Sequence, residues 1–342
     1  MGGKKIFVTG GTGLLGSHLL FSLANSRENV RATYRQKKKI EIVRKVFSYY
    51  CADPGELISR IEWVESDLAN IDSLKNLMNG SEHVYHCAAT VSYESSGRAA
   101  LIRNNTELTA RIVKSCLETR TAKLCHVSSV AAVESATEDR MTDESLKWND
   151  SIHHNAYAVS KYLSEMEVWN AIRKGLNAVI VNPSIILGPG FWDSGSGLFF
   201  SRTAKGMLFH SSGVKGYVEV RDVVKSMITL MNSPAGDERF IISSENISIK
   251  ELFSMIARGL NVRRPFISVP EILAGPAKAG INLLTKIRGK EGVITADIVN
   301  AAFSKIFYDN SKIRMTTGIS FIPVRQAVGE ICRIYKAEVQ HR

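Results

Sequence analysis

The chain has 342 residues, 44% of them hydrophobic and 23% charged, a globular balance that excludes disorder and leaves room for a large core beside a smaller lobe. Its formal charge is +11, a balance open to nucleic acid, an acidic membrane surface or an anionic small ligand, but the basic residues are mostly spread out and no nucleic-acid motif accompanies them, so nucleic acid is not an expected partner. Cys51, Cys87, Cys116, Cys125 and Cys332 are odd in number and widely spaced, which argues against a disulfide framework or a metal site and for a reducing compartment.

In chain order, residues 5–9 read as a buried strand, 17–24 as a helix and 30–34 as a second strand. Residues 37–50 look helical, 61–65 form a third strand, 72–78 a helix and 83–87 a fourth strand. A long helix over 101–118, a fifth strand over 124–128, a helix over 156–173 and a sixth strand over 178–181 complete the alternation. This rhythm predicts an α/β fold, a Rossmann-type doubly wound parallel sheet built from βαβ units. Beyond Pro183 the glycines at 188, 190, 195 and 197 mark a loop-rich stretch, and strands return near 216–220 and 239–242. From about Ile247 the chain reads as mainly helical, with turns at Pro265 and Pro270. We therefore expect a dinucleotide-binding domain over residues 1–185, rejoined by 215–245, and a smaller, mainly helical C-terminal substrate-binding lobe from 186–214 and 246–342. Residues 269–287 are the softest membrane candidate, but Glu271, Pro276, Lys278 and Lys286 point to an amphipathic helix instead of insertion. No charged leader and apolar stretch precede the first strand, so a cytoplasmic location is expected.

The first strand runs into Thr9-Gly10-Gly11-Thr12-Gly13-Leu14-Leu15-Gly16. Glycines at 10, 13 and 16 suit a strand-to-helix turn that brings a pyrophosphate against the backbone, with free N–H groups and the positive dipole end of a helix beyond it. Where an NAD site expects an acid after the second strand, Arg35 follows Tyr34. A guanidinium there holds a 2′-phosphate that a carboxylate would repel, and Lys37, Lys38 and Lys39 add field, so NADP is favoured over NAD. If Arg35 points to solvent, either cofactor serves. Asp67, followed by Leu68, has two readings: acceptor for an adenine amino group with Leu68 packing the ring, or helix N-cap.

Tyr157 and Lys161 lie four apart, on one face of a helix. A nearby ammonium stabilises tyrosinate and so brings a phenol within reach of proton exchange near neutral pH. Ser128 and Ser129 end the fifth strand and can supply a hydroxyl to a substrate oxygen.

In this order, glycine turn, strand-end serine and Tyr-x-x-x-Lys, the sequence resembles the extended short-chain dehydrogenase/reductase family, also called the NAD-dependent epimerase/dehydratase family, over nearly its whole length. Further segments are similar to the family's: His86-Cys87-Ala88-Ala89, continuing to Thr90, where strand four passes the cofactor; Asn105 in the long helix; Asn182-Pro183-Ser184-Ile185-Ile186, which contacts nicotinamide; and Tyr217-Val218-Glu219-Val220-Arg221-Asp222-Val223. The resemblance implies that Ser129, with Ser128 the alternative, polarises a carbonyl. It implies that Tyr157 exchanges the proton and that Lys161 holds the nicotinamide ribose. A homodimer through helices 101–118 and 156–173 is also implied.

The family holds reductases, epimerases and dehydratases. Val130-Ala131-Ala132-Val133 after Ser129 lacks the Asp-Glu pair of sugar dehydratases. Lys215 stands nearest to the arginine with which many epimerases grip a diphosphate. Residues 32–35 and 127–133 are most similar to dihydroflavonol reductase-like sequences. The expectation is an NADP-dependent oxidoreductase that reduces a ketone or aldehyde, or oxidises the matching alcohol. The alternatives are a nucleotide-sugar epimerase and a non-catalytic dinucleotide-binding protein. Phe191, Trp192, Phe199, Phe200 and Tyr93 either wall an apolar substrate pocket or simply pack the core.

Overall fold

Short apolar runs buried on both sides are the sequence mark of a parallel sheet covered on each face. In the computed structural model, which describes residues 3–90, 97–136, 140–273 and 296–340, those runs do form such a sheet. The first half comprises β1 (Lys5–Thr9), α1 (Leu14–Asn25), β2 (Asn29–Tyr34), α2 (Ile40–Phe47), α3 (Pro54–Ser59), β3 (Glu62–Glu65), α4 (Ile71–Met78), β4 (His83–His86), α5 (Arg98–Glu118), β5 (Lys123–Val127), α6 (Ala156–Ile172) and β6 (Ala178–Pro183). There follow β7 (Ile185–Leu187), α7 (Gly197–Ala204), β8 (Phe209–His210), β9 (Val214–Glu219), α8 (Val220–Met231), β10 (Glu238–Ile242), β11 (Glu245–Ser248), α9 (Ile249–Leu260) and β12 (Ile267–Ser268). Helices at Ala296–Phe303, Ser311–Thr317 and Val324–Gln340 end the described chain.

Among the described residues the main sheet has seven strands, all parallel, in the order β3-β2-β1-β4-β5-β6-β10. The order reverses between β1 and β4, so a crevice opens at their carboxyl ends, where ligands bind in folds of this kind. Alternation along β1 shows how both faces are filled. Ile6 and Val8 pack with Leu19, Leu20, Val223 and Met227 of α1 and α8 on one side. Phe7 packs with Leu74, Ile112 and Val168 of α4, α5 and α6 on the other.

The C-terminal lobe has its own core, in which Leu252, Ile256, Val328 and Ile331 pack with Trp192 and Phe200. Trp192 and Phe200 are thus packing residues, 6% and 0% exposed, which overturns their reading as pocket walls. Phe199 packs edge-on against Phe253 of α9, and Phe191 is half-buried. Tyr93, and the proposed amphipathic stretch beyond residue 273, lie outside the described residues. β9 pairs with β7 and β11 in a separate three-stranded sheet, while β10 joins the main one. The buried Asp222 joins core to lobe by accepting from the Ile322 N–H at 2.7 Å.

The helix expected over 37–50 begins as a 3-10 turn at Lys37–Lys39 and closes at Phe47. The next helix, α3, is unexpected from periodicity, yet it carries its own start signal: Pro54 in the first turn and the Asp53 side chain accepting from the Glu56 N–H. All five cysteines are free thiols. No described helix is long and apolar enough to cross a membrane.

Phe7 is fully buried at the centre of the sheet. Phe7→Ala is expected to destabilise the protein by about 3–5 kcal/mol, read from the urea midpoint; a loss under about 1 kcal/mol would show that α4, α5 and α6 do not pack on this residue.

Candidate active site

The glycine turn is shaped by contacts that leave no room for side chains. Gly10 has φ +72°, and a Cβ there would sit 2.5 Å from the Ala88 nitrogen. A Cβ at Gly16 would sit 2.2 Å from the Gly10 carbonyl oxygen. These two glycines let β1, the start of α1 and the strand-four backbone converge. Gly13 differs: its N–H donates to the Gly10 carbonyl at 3.0 Å, and a Cβ on it would meet only that oxygen, at 3.5 Å. The methyl would project into open space at the entrance of α1, whose N-terminus carries no side-chain cap. Free N–H groups and a bare backbone surface suit an oxygen-rich anion.

A cavity of about 480 Å³ extends from this turn. Gly10, Thr12 and Gly13 form one end, and Cys87, Ala88, Ala89 and Thr90 one wall. Thr33, Tyr34, Arg35 and Lys39 form the opposite rim, while Ser66, Asp67, Leu68 and Ala69 close the far end. Lys37 and Lys38, expected to add field, do not line it. The Asp67 carboxylate accepts from the Ala69 N–H at 2.9 Å, and the N-cap of α4 is Asn70, so the capping reading of Asp67 is corrected. Leu68 is 6% exposed and held at φ +60°, a conformation costly for a branched residue and typical of ligand-facing loops.

Asn105 fixes the wall. Its amide accepts from the Thr90 N–H and donates to the Thr90 carbonyl, both at 2.9 Å, and also reaches the Ser160 hydroxyl of α6 at 3.2 Å. Beneath the wall, the Thr9 hydroxyl meets Nδ1 of His86 at 2.7 Å and accepts from the Ala88 N–H at 3.3 Å.

The serine, tyrosine and lysine singled out by the sequence lie on α6 and at the end of β5. Asn155 caps α6 by accepting from the Ala158 N–H at 2.8 Å, so Tyr157 lies in the first turn and Lys161 one turn on. Lys161 is 5% exposed, and its ammonium donates to the Val127 carbonyl at 2.9 Å. Burial lowers its pKa to about 8, against the opposing field of Glu165. Cys87, which lines the cavity, also feels this ammonium, and burial pushes its thiol up to about 12. Ser129 caps a short 3-10 turn over Val130–Ala132, its hydroxyl accepting from the Ala131 N–H at 3.2 Å. The Asn182 amide donates to the Ser129 carbonyl at 2.9 Å. The Ser128 hydroxyl is buried on the other side, against Glu165.

Ser129, Tyr157 and Lys161 are not among the residues that line this cavity, and other expected contacts also lie apart from it. Leu15 is buried in the core, Leu14 packs near Gly188, and Pro183 is buried at the end of β6. Ile185 and Ile186 are half-buried on β7, in the three-stranded sheet. Glu165 escaped sequence reasoning, because a helical acid one turn past a lysine looks like an ordinary surface pair. Lys215 is tied to the Ser304 carbonyl at 3.0 Å and hydroxyl at 2.5 Å. Among the described residues there is no cluster of His, Cys, Asp and Glu suited to a metal.

The model of the NAD dependent epimerase/dehydratase family matches residues 6–243. The chain belongs to that family, the extended short-chain dehydrogenases/reductases. It is 26% identical over 333 residues to the putative dihydroflavonol 4-reductase of Synechocystis sp., covering 95% of this chain and 92% of that protein. It is 28% identical over 268 residues to tetraketide alpha-pyrone reductase 2 of Arabidopsis thaliana, covering 74% and 82%. Its fold is similar to the crystal structure of gox2253, with TM-score 0.82, 24% identity and 98% of each chain covered. An NAD(P) dinucleotide is the cofactor typical of the family, and small molecules are its typical substrates. The open surface at Gly13, the uncapped helix start and the basic rim fit such a group.

Gly13→Ala puts a methyl where nothing in the protein blocks it, at a φ of −92° that alanine tolerates. The variant is expected to melt near wild type yet bind NADPH about tenfold more weakly, about 1.4 kcal/mol, in a fluorescence titration. Unchanged affinity would mean that the dinucleotide does not cross this glycine.

Proposed function

We propose that the chain is an NADP-dependent oxidoreductase that reduces a ketone or aldehyde, or oxidises the corresponding alcohol. The observation that carries this reading is the placement of Lys161: an ammonium withdrawn from water, tied to the end of β5, one turn from Tyr157. Such a group stabilises a phenolate and can donate hydrogen bonds to the hydroxyls of a ribose at the same edge. Bound beside these residues, a nicotinamide dinucleotide would supply the hydride chemistry. In the reductive direction the Tyr157 hydroxyl gives its proton to the carbonyl oxygen, and the Ser129 hydroxyl donates a hydrogen bond to that oxygen. Ser129 is preferred to Ser128, whose hydroxyl lies against Glu165.

Arg35 and Lys39 on the cavity rim support NADP over NAD: both carry positive charge where the adenosine ribose of a dinucleotide would end. Asp67 and Leu68 would then meet the adenine, and Thr12, Ala88, Ala89 and Thr90 the phosphates and inner ribose. Pro183, Ile185 and Ile186 would border the nicotinamide. Residues 1–185 with part of 215–245 would make the cofactor domain, and 186–214 with 246–342 the substrate lobe. Two relatives are named as reductases, which favours net carbonyl reduction. The epimerase alternative is weakened by Lys215, whose ammonium is engaged with Ser304 and so is a poor grip for a diphosphate. A purely sensory protein has no use for a proton donor. Five free cysteines fit a reducing location such as the cytoplasm, and α5 with α6 remain the faces for a dimer.

The test is a panel of aromatic and aliphatic carbonyls and sugar nucleotides, followed by nicotinamide absorbance with NADPH and NADH. Net NADPH oxidation with a carbonyl is expected; conversion of a sugar nucleotide without net cofactor change would decide for the epimerase. Tyr157→Phe should retain NADPH binding and lose at least about 100-fold in turnover, and turnover near wild type would remove the tyrosine from its role. Arg35→Asp should weaken NADPH far more than NADH; equal losses would reject the 2′-phosphate contact.

A further inference from the structure

Glu165 is a carboxylate in an unusual place. It stands one helical turn beyond Lys161 on α6 and is 1% exposed. One oxygen accepts from the Asn182 amide at 2.5 Å, and the other lies 3.6 Å from the Arg239 guanidinium. The same Asn182 amide donates to the Ser129 carbonyl. Glu165 therefore touches the active centre along two routes, by charge to Lys161 and by hydrogen bond through Asn182 to the Ser129 peptide.

We propose that Glu165 is a positioning residue for the hydride-transfer site: its buried negative charge keeps Lys161 an ammonium, and its bond to Asn182 holds the Ser129 strand end in place. This rests on the reading of Ser129, Tyr157 and Lys161 given above.

The surroundings of Lys161 isolate this role. From β4 and the residue after it come His86 and Cys87, from β5 His126, and from α6 Tyr157 and Glu165. His86 is held neutral by burial, with its pKa lowered to about 3, and His126 is pushed well below its usual range. Neither ring nitrogen of His126 has a hydrogen-bond partner among the described residues, so it brings no charge of its own. Cys87 stays a thiol below about pH 12. Among the described residues Glu165 is thus the carboxylate whose charge acts on the ammonium. Burial pushes its own carboxyl up, while Ser128, Arg239 and Asn182 favour the ionised form. No covalent step is involved; the residue sets the protonation state of its neighbour.

The experiment titrates NADPH into the full-length protein by fluorescence from pH 7 to 10, with melting temperatures recorded throughout. Wild-type affinity is expected to fall as pH rises through the Lys161 titration. Lys161→Ala should flatten that fall; if it binds as wild type does at every pH, the catalytic reading itself fails. Glu165→Gln keeps the shape and the bond to Asn182 but removes the charge. It should move the fall to lower pH by about one unit, a tenfold change in the acidity of the ammonium. Glu165→Asp, which keeps a charge at shorter reach, should shift it less in the same direction, and it carries the test if the glutamine variant does not fold. A flattened Lys161→Ala profile with an unshifted midpoint in the glutamate variants would overturn the inference about Glu165 while leaving the site intact. A purely structural role would lower the melting temperature and the affinity at every pH without moving the midpoint.

Discussion

An ammonium withdrawn from water needs a fixed acceptor, and the Val127 carbonyl supplies it. Much of the site follows from that bond. β5 must end at Val127 so that the carbonyl is exposed to α6 instead of to a neighbouring strand. The chain then turns at Ser129 into its short 3-10 segment, which packs against α6. α6 must start where Asn155 caps it, because a shift of one residue would rotate Tyr157 and Lys161 by about 100° away from the sheet edge. The cost of burying the charge is offset in part by the field of the Glu165 carboxylate one turn on, whose two oxygens meet Asn182 and Arg239.

The glycine-turn half of the crevice depends on close packing. Gly10 and Gly16 are positions where any Cβ would strike backbone, and they let the strand-four wall come within contact of the turn. Asn105 then ties that wall to α5 and α6 with three hydrogen bonds, so the two halves of the crevice share one support. The same amide that holds Thr90 at the cavity wall also touches Ser160, between Tyr157 and Lys161.

The sheet was readable because its strands are buried on both faces and therefore continuous in apolar residues. The glycine turn was readable because only glycine tolerates the contacts at positions 10 and 16. Where the sequence misled, a residue's role was set by distant partners. Trp192 and Phe200 look like loop aromatics until α9 and the helix Val324–Gln340 close over them. Glu165 looks like a surface acid because Asn182 lies 17 residues on, in a different strand. Asp67 and Asn70 are equally good caps by composition, and only the left-handed turn at Leu68 separates the cavity-lining loop from the true helix start. α3 carried a legible cap at Asp53 but was too short for periodicity to register.

The basic rim poses a different physical question, since Arg35 and Lys39 are exposed and exposed charges are screened within about 8 Å at physiological salt. Long-range attraction therefore cannot account for much selectivity between two dinucleotides that differ by one phosphate. Contact can, because a guanidinium grips phosphate through paired hydrogen bonds that water must otherwise replace. Contact in turn requires the rim to stay in place. The 3-10 turn that carries Lys39 runs directly into α2, and α2 is pinned at its far end: Lys45 and Tyr49 both engage Glu338 of the C-terminal helix, which also accepts from the Trp192 indole at 2.8 Å. The arm that carries this rim is thus braced by the C-terminal lobe, so its geometry is set by the packing of the two lobes and not by the flexible side chains at its tip.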